Sequence, residues 1–294
     1  MGRGRALLQL LRAQVASVGA DPSVGGKNVI AFSGGVDSSV VAALVHDVFP
    51  ANSVACVGVS SALPASQLHL ARDVARRIGI SLKEVYTKEG SDPEYVANRG
   101  MSCFHCKTHL YSSLEAVAAL AGSESRDTVT AHGGDSVAGG GCQVVLFNGT
   151  NKDDKRDPTR SVGLKAAENF RVASPIDGLT KAEVREVAQA LGLQNWNFAA
   201  SPCLRSRLAF GVEATPDRLM LVEQAENIVR KYLRLGVTDN LRVRAMHEGD
   251  ALVEVDQEQL ERGLSLLEEL RGHLIPMGFK RVNMRVFRSG ALSG

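Results

Sequence analysis

Ser33-Gly34-Gly35-Val36-Asp37-Ser38-Ser39 is the stretch on which the reading of this chain turns. It follows a short apolar run at 29–32, the pattern of a buried strand, and opens an apolar-periodic stretch at 36–48, the pattern of a helix. At a strand-to-helix turn, glycines let backbone N–H groups approach an anion closely, and the helix N-terminus adds its partial positive charge. Ser33, Gly34, Gly35, Ser38 and Ser39 therefore make a candidate phosphate cradle. It is not a Walker A loop, because the glycine spacing differs and no lysine follows the second glycine. Asp37 offers a carboxylate where a Mg2+ bridging phosphates would sit. A lone Gly-Gly turn would mean little; seven such residues in this context mean more.

Outward from that loop, strands are predicted at 53–59, 81–86, 128–132 and 144–147, and helices at 65–79 and 106–120. Thr180-Lys181-Ala182-Glu183 is a capping box opening a helix that ends at Gly192. Alternating strands and helices predict a parallel sheet covered by helices. Residues 133–142 are glycine-rich, without periodicity, and read as a loop. After Trp196, a residue suited to packing, the pattern changes. Thr215-Pro216 opens a helix with a stripe of Leu219, Val222, Ala225, Val229 and Leu233. Strands at 241–245 and 251–255 form a hairpin around Glu248-Gly249-Asp250, followed by a helix at 257–270 and a strand at 281–287. The expectation is an α/β nucleotide-binding domain over 1–200 and a smaller α+β domain over 201–294. The first 20 residues carry Arg3, Arg5 and Arg12 with no acid before Asp21. Leu7, Leu8, Leu11 and Val15 at helical spacing favour an amphipathic first helix; the alternative is a mitochondrial presequence.

With 294 residues, 44% hydrophobic and 22% charged, the composition is that of a soluble globular protein and excludes disorder as the main state. No apolar run approaches the eighteen or so residues of a membrane span. Lys and Arg number 34 against 32 Asp and Glu, and a net charge of +2 is too small for a dominant field around nucleic acid. A small anionic nucleotide is the expected partner, with self-association left open. Five cysteines, an odd number, do not make a secreted disulfide framework and point to a reducing compartment, the cytoplasm.

Two of them stand as Cys103-Phe104-His105-Cys106, and a third, Cys203, lies in Ser201-Pro202-Cys203-Leu204-Arg205-Ser206-Arg207. The Cys-x-x-Cys spacing is compatible with zinc, a redox dithiol or an iron-sulfur cluster. Zinc would take a fourth ligand from His105, His109 or His132. Three thiolates without an obvious fourth suit a [4Fe-4S] cluster with one open iron. Arg205 and Arg207 beside Cys203 are expected to favour its thiolate. Cys56, in a predicted strand, and Cys142 read as packing and incidental exposure. Arg207, Arg242 and Arg244 are candidates for a substrate phosphate or carboxylate, since guanidinium forks match those oxygens and alternate strand positions share a face. A solvent-facing strand surface is the other reading of the last two. Asp153 and Asp154 suit either metal or nucleotide binding or a solvated turn. Glu223 and Glu226 read first as a charged helix face, and His247 as a surface turn residue.

The heptapeptide resembles the PP-loop of the ATP pyrophosphatases, a branch of the adenine nucleotide α-hydrolase (HUP-like) fold. That resemblance implies ATP with Mg2+, cleavage between the α and β phosphates, and adenylation of a substrate oxygen. From about residue 25 to the end the chain resembles the LarE family of ATP-dependent sulfur transferases, which make the thiocarboxylates of a nickel-pincer nucleotide. The motifs that carry the match are Ser33 to Ser39, Val59 to Pro64, Cys103-Phe104-His105-Cys106-Lys107-Thr108, Asn148-Gly149-Thr150-Asn151-Lys152-Asp153-Asp154, Gly178 to Arg185, Pro202 to Gly211, and Arg242-Val243-Arg244. The family implies adenylation of a carboxylate of pyridinium-3,5-biscarboxylic acid mononucleotide, followed by sulfur delivery. Single-cysteine members use the equivalent of Cys203 and leave dehydroalanine behind. Members with an added Cys-x-x-Cys are thought to relay sulfide on a [4Fe-4S] cluster, and the presence of Cys103, Cys106 and Cys203 makes this chain resemble that type. The resemblance also places Ser60 near the adenosine, and Glu226, Arg207, Arg242 and Arg244 near the substrate. Other classes open at this point are a tRNA-thiolating PP-loop enzyme, an ammonia-using synthetase, and a non-catalytic nucleotide- or cluster-carrying protein.

Overall fold

The computed structural model describes residues 3–123 and 143–288. The apolar run before the glycine loop forms β1 (Lys27–Ala31), with Val29 and Ile30 fully buried, as a strand covered on both faces should be. With β2 (Ser53–Val59), β3 (Ser81–Tyr86) and β4 (Val144–Phe147) it makes a sheet of order β3-β2-β1-β4. β1 runs parallel to both β2 and β4; Val29 stands opposite Val54 on one side and Leu146 on the other. Chain order reverses between β1 and β4. Ligands of open parallel sheets bind beyond the carboxyl ends of the strands at such a reversal. Here those ends carry 33–39 and 148–151.

The helices up to residue 190 are α1 (Arg3–Val18), α2 (Val36–Val48), α3 (Ala65–Ile78), α4 (Pro93–Ala97), α5 (Ser102–Ser123), α6 (Lys152–Arg156), α7 (Pro158–Asn169) and α8 (Lys181–Ala190). α1 is the amphipathic helix expected from its spacing: Leu8, Leu11 and Val15 are buried, and it packs on α2 and α8. Val29, Cys56, Tyr111, Leu114 and Leu146 share one core. α5 starts at Ser102, earlier than the predicted 106, so Cys103 and Cys106 lie inside its first turns, at a spacing that puts them on one face. α4 and α6 were not predicted, although both carry cap residues: Asp92 accepts from Glu94 N, and Asn151 forms a capping box with Asp154. The predicted strand at 128–132, the glycine-rich stretch 133–142, His132 and Cys142 lie outside the described residues.

Over the described residues the chain divides into two compact units. The first comprises Met1–Gly58, Leu68–Thr87 and Lys107–Trp196; the second comprises Val59–Gln67, Lys88–Cys106 and Asn197–Gly294. The second unit thus takes in two earlier segments besides the stretch beyond residue 197. It holds α9 (Pro216–Tyr232), β5 (Leu241–Ala245), β6 (Ala251–Val255), α10 (Gln257–Ser265), α11 (Leu267–Leu274) and β7 (Val282–Val286). β5 and β6 pair antiparallel and β6 and β7 parallel. The α9 stripe of Leu219, Val222, Ala225 and Val229 is fully buried. The single helix expected over 257–270 is two, separated at Leu266, whose backbone leaves the helical region at φ −100° and ψ 5°. No described helix is long and apolar enough to cross a membrane.

Candidate functional site

The glycine loop belongs to the first unit, and its shape is fixed by its own hydroxyls. Ser38 Oγ accepts from Ser33 N at 3.2 Å and donates to Gly35 O at 3.0 Å. Ser39 Oγ donates to Gly35 O at 2.8 Å and is fully buried. Gly34 has φ +72°, and a Cβ there would lie 2.7 Å from Ala71 Cα, so only glycine fits. Gly35 is the N-cap of α2 and supplies no side-chain hydrogen bond. The first N–H groups of α2 therefore lack a side-chain cap, which is the condition for binding an anion at a helix start.

Three residues that sequence reasoning did not single out complete this arrangement. Asn195, 1% exposed, donates through Nδ2 to Gly34 O at 2.8 Å and to Ser39 Oγ at 3.0 Å. Lys181 Nζ donates to Asp37 Oδ2, and Asn151 Nδ2 reaches Asp37 Oδ1 at 3.3 Å. Lys181 sits in the capping box read from the sequence and Asn151 caps α6, but nothing local announces that both turn to Asp37. Gly149 packs so closely that a Cβ there would stand 2.7 Å from Ser38 N. Asp153 and Asp154 are both engaged by neighbouring groups and are not idle turn residues. Asp153 Oδ2 accepts from Lys181 N at 2.7 Å; Asp154 closes the α6 capping box and pairs with Arg160 at 3.0 Å. Asp37 offers a carboxylate beside the loop for Mg2+, an ion that commonly takes one or two carboxylates plus phosphate and water oxygens. Asp37 fits such an ion when nucleotide phosphates supply the other ligands.

The cysteines belong to the second unit. Cys103 Sγ accepts from Arg205 Nη2 at 2.6 Å, and Arg205 Nη1 donates to Asn98 Oδ1 at 3.2 Å. Cys203 and Cys106 pack against the same core, which includes Tyr95 and Leu204. Burial pushes the Cys106 thiol well above its ordinary range, and Cys203, Glu89 and Cys103 push the same way. Tyr95 is 2% exposed, its hydroxyl lacks a hydrogen-bond partner, and burial holds it protonated. All three thiols are free of disulfides. Among the described residues, however, no group of three or more His, Cys, Asp or Glu is arranged to hold a metal ion. His105, a candidate fourth zinc ligand, pairs with Asp92 at 2.8 Å instead. As placed, the thiols fit neither zinc nor a cluster.

The arginines beside Cys203 make their hydrogen bonds to groups other than its sulfur. Arg205 turns its fork to Cys103, and Arg207, 1% exposed, holds Glu226 at 2.9 Å and 3.2 Å. Arg207 Nη1 also donates to Pro202 O and Cys203 O. Arg244 pairs with the fully buried Glu254 at 2.7 Å and donates to Ser206 O at 2.8 Å. Arg242 donates to Ala200 O and Leu241 O, both at 2.5 Å, and lies 5.3 Å over the Phe287 ring. The predicted strand pair is therefore buried, and three arginines hold the carbonyls of the segment that carries Cys203. Arg242 differs from the others: no described carboxylate pairs with it, and burial, then Arg207, lower its guanidinium to about 9. Glu226 is not a surface charge but the partner of Arg207 and of Val243 N at 3.1 Å. Glu223 accepts from Ala65 N at 2.6 Å. Ser60 forms a turn with Ala62 N at 3.3 Å and belongs to this second unit. His247 is exposed in its turn, as expected.

Against known proteins, residues 5–92 match the family model described as NAD synthase. The chain is 35% identical over 236 residues to the "uncharacterized protein slr1717" of Synechocystis, covering 80% of this chain and 78% of that protein. It is 29% identical over 269 residues to a pyridinium-3,5-bisthiocarboxylic acid mononucleotide synthase of Lactiplantibacillus plantarum, covering 90% and 88% respectively. It is 30% identical over 253 residues to a glutamine-hydrolysing GMP synthase of Leifsonia xyli, covering 78% and 45%.

Proposed function

The chain belongs to the family of the Synechocystis and Lactiplantibacillus relatives, the LarE-type PP-loop sulfur transferases, and from that premise we propose that its acceptor is a pyridinium dicarboxylate mononucleotide. The reaction type is ATP-dependent adenylation of a carboxylate followed by sulfur insertion. The observation that carries the reading is the uncapped start of α2 beside Asp37, in a chain whose Cys103, Cys106 and Cys203 are free thiols. N–H groups at that start hold the phosphates that leave as pyrophosphate. Mg2+ on Asp37 would supply charge neutralisation between those phosphates. A carboxylate oxygen of the acceptor attacks the α-phosphorus, and the acyl-adenylate then carries AMP as its leaving group.

Cys203 is the proposed donor. Its sulfur attacks the activated carbon and AMP departs; loss of the Cys203 α-proton and cleavage of its Cβ–S bond then release the thiocarboxylate and leave dehydroalanine. A second reading, a [4Fe-4S] cluster on Cys103, Cys106 and Cys203, is favoured by the free state of all three thiols and requires them to draw together from the arrangement described above. Arg242, without a carboxylate partner, is the proposed ligand of the acceptor's phosphate. The same reading makes the protein cytoplasmic. Anaerobic purification with iron and sulfide analysis, then mass measurement after turnover with Mg·ATP and the pyridinium acid, tests it. Loss of one sulfur from Cys203 without iron supports the first reading; bound iron with many turnovers supports the second. Absence of pyrophosphate release with this acid overturns the proposed acceptor.

A further inference from the structure

Lys181 and Asp37 pose a question that the reaction scheme leaves open. A carboxylate needed by Mg2+ already has both oxygens engaged, one by the Lys181 ammonium and one by the Asn151 amide. Asp153 accepts from the Lys181 backbone and Asp154 is held by Asn151 and Arg160, and among the described residues no group of three or more His, Cys, Asp or Glu is placed to hold a metal ion. A divalent ion arriving alone would have to displace an ammonium and would gain a single protein carboxylate. Mg2+ sheds its water reluctantly, and one carboxylate offers little in exchange.

We propose that Lys181 masks the metal site of the resting protein, so that Mg2+ enters only together with the triphosphate. The Lys181 and Asp37 side chains are 35% and 23% exposed, and an ion pair open to water to that extent is weak. A triphosphate changes the balance in two ways. It brings oxygen ligands that complete the coordination of the metal, and it offers the ammonium another anion within reach of the same cradle. Lys181 then leaves Asp37 as the metal arrives. Its helix start does not depend on that pairing, since the Thr180 and Glu183 capping box and the bond from Lys181 N to Asp153 are made by other atoms.

The inference rests on the ATP-pyrophosphatase reading, but its decisive readout needs no turnover. Binding of Mn2+ alone is followed by loss of the free-ion paramagnetic resonance signal in the wild type, Lys181→Met and Asp37→Asn. The wild type should bind Mn2+ weakly without nucleotide. Lys181→Met should bind the ion alone about tenfold more tightly and ATP about tenfold more weakly, each corresponding to about 1.4 kcal/mol. Asp37→Asn should abolish the gain when combined with Lys181→Met. A residue that only bound phosphate, or only supported the fold, would lower ATP affinity with no gain for the metal, and that result overturns the proposal. Tight Mn2+ binding by the nucleotide-free wild type overturns it as well. If the wild type ignores ATP while the metal behaves as stated, masking stands and the ATP reading fails.

Discussion

Cys56 shows what burial does to a single titratable side chain. It is 0% exposed in β2, and burial raises its thiol from 9.0 to about 12. The folded state keeps the neutral thiol, so this contribution to stability is complete below the unfolded value and is lost as pH climbs towards the folded one. Thermal unfolding should therefore fall in temperature from about pH 9 upward, and Cys56→Ala should flatten that fall while lowering the temperature at neutral pH. An unchanged alkaline slope in the variant would remove Cys56 from the account. That a cysteine within an apolar strand packs in the core was legible in the sequence. Gly149 was not legible in the same sense: its motif could be quoted, but the reason for glycine is a 2.7 Å approach to Ser38 N from the segment that follows β4, far along the chain. Gly149→Ala should weaken ATP binding at least about tenfold through displacement of the α2 start, with a smaller effect on melting; equal affinity in the variant would show that the loop tolerates the shift.

Elements were legible where their ends carry caps and their faces carry a period. Thr180 and Glu183 begin α8 as predicted, and Thr215 with Pro216 begins α9. The start of α5 and the break between α10 and α11 were missed, because no cap residue marks the first and Leu266 continues the apolar period across the second. What no periodicity could reveal is how α8 serves the glycine loop. Lys181 at its start meets Asp37, and Asn195, just past its end, holds Gly34 O and Ser39 Oγ. The start of α8 and the turn after its end thus tie the loop at two points. Asn195→Asp keeps the shape but removes both donors and sets a carboxylate against a carbonyl, a loss of about 2 kcal/mol from two buried hydrogen bonds. The variant should melt a few degrees lower and bind ATP about tenfold more weakly. Full ATP affinity with lowered melting would make Asn195 a purely structural residue.

For the whole molecule, the placement of charge separates the readings of substrate. Near-neutral composition already argued against a long polyanion, and the structure takes three of the candidate substrate-binding cations off the surface. Arg207, Arg242 and Arg244 are at most 5% exposed and bonded to Glu226, Glu254 or backbone carbonyls, so they add little to any surface field. Glu89 and Glu254 are buried in turn, which takes charge of both signs off the surface. Recognition of RNA backbone needs several exposed cations and shows a steep salt dependence, with a slope of about −0.7 to −0.9 per phosphate contacted. Unmodified tRNA should therefore not bind at micromolar protein and about 0.15 M salt, and any weak binding at low salt should vanish on the way there. A mononucleotide acid held at Arg242 meets one buried cation, so its affinity should change little over the same range, because a buried site is poorly screened. Arg242→Gln should raise its KM at least about tenfold with little change in pyrophosphate release from bound acid. Tight, salt-sensitive tRNA binding would instead return the tRNA-thiolating reading to first place.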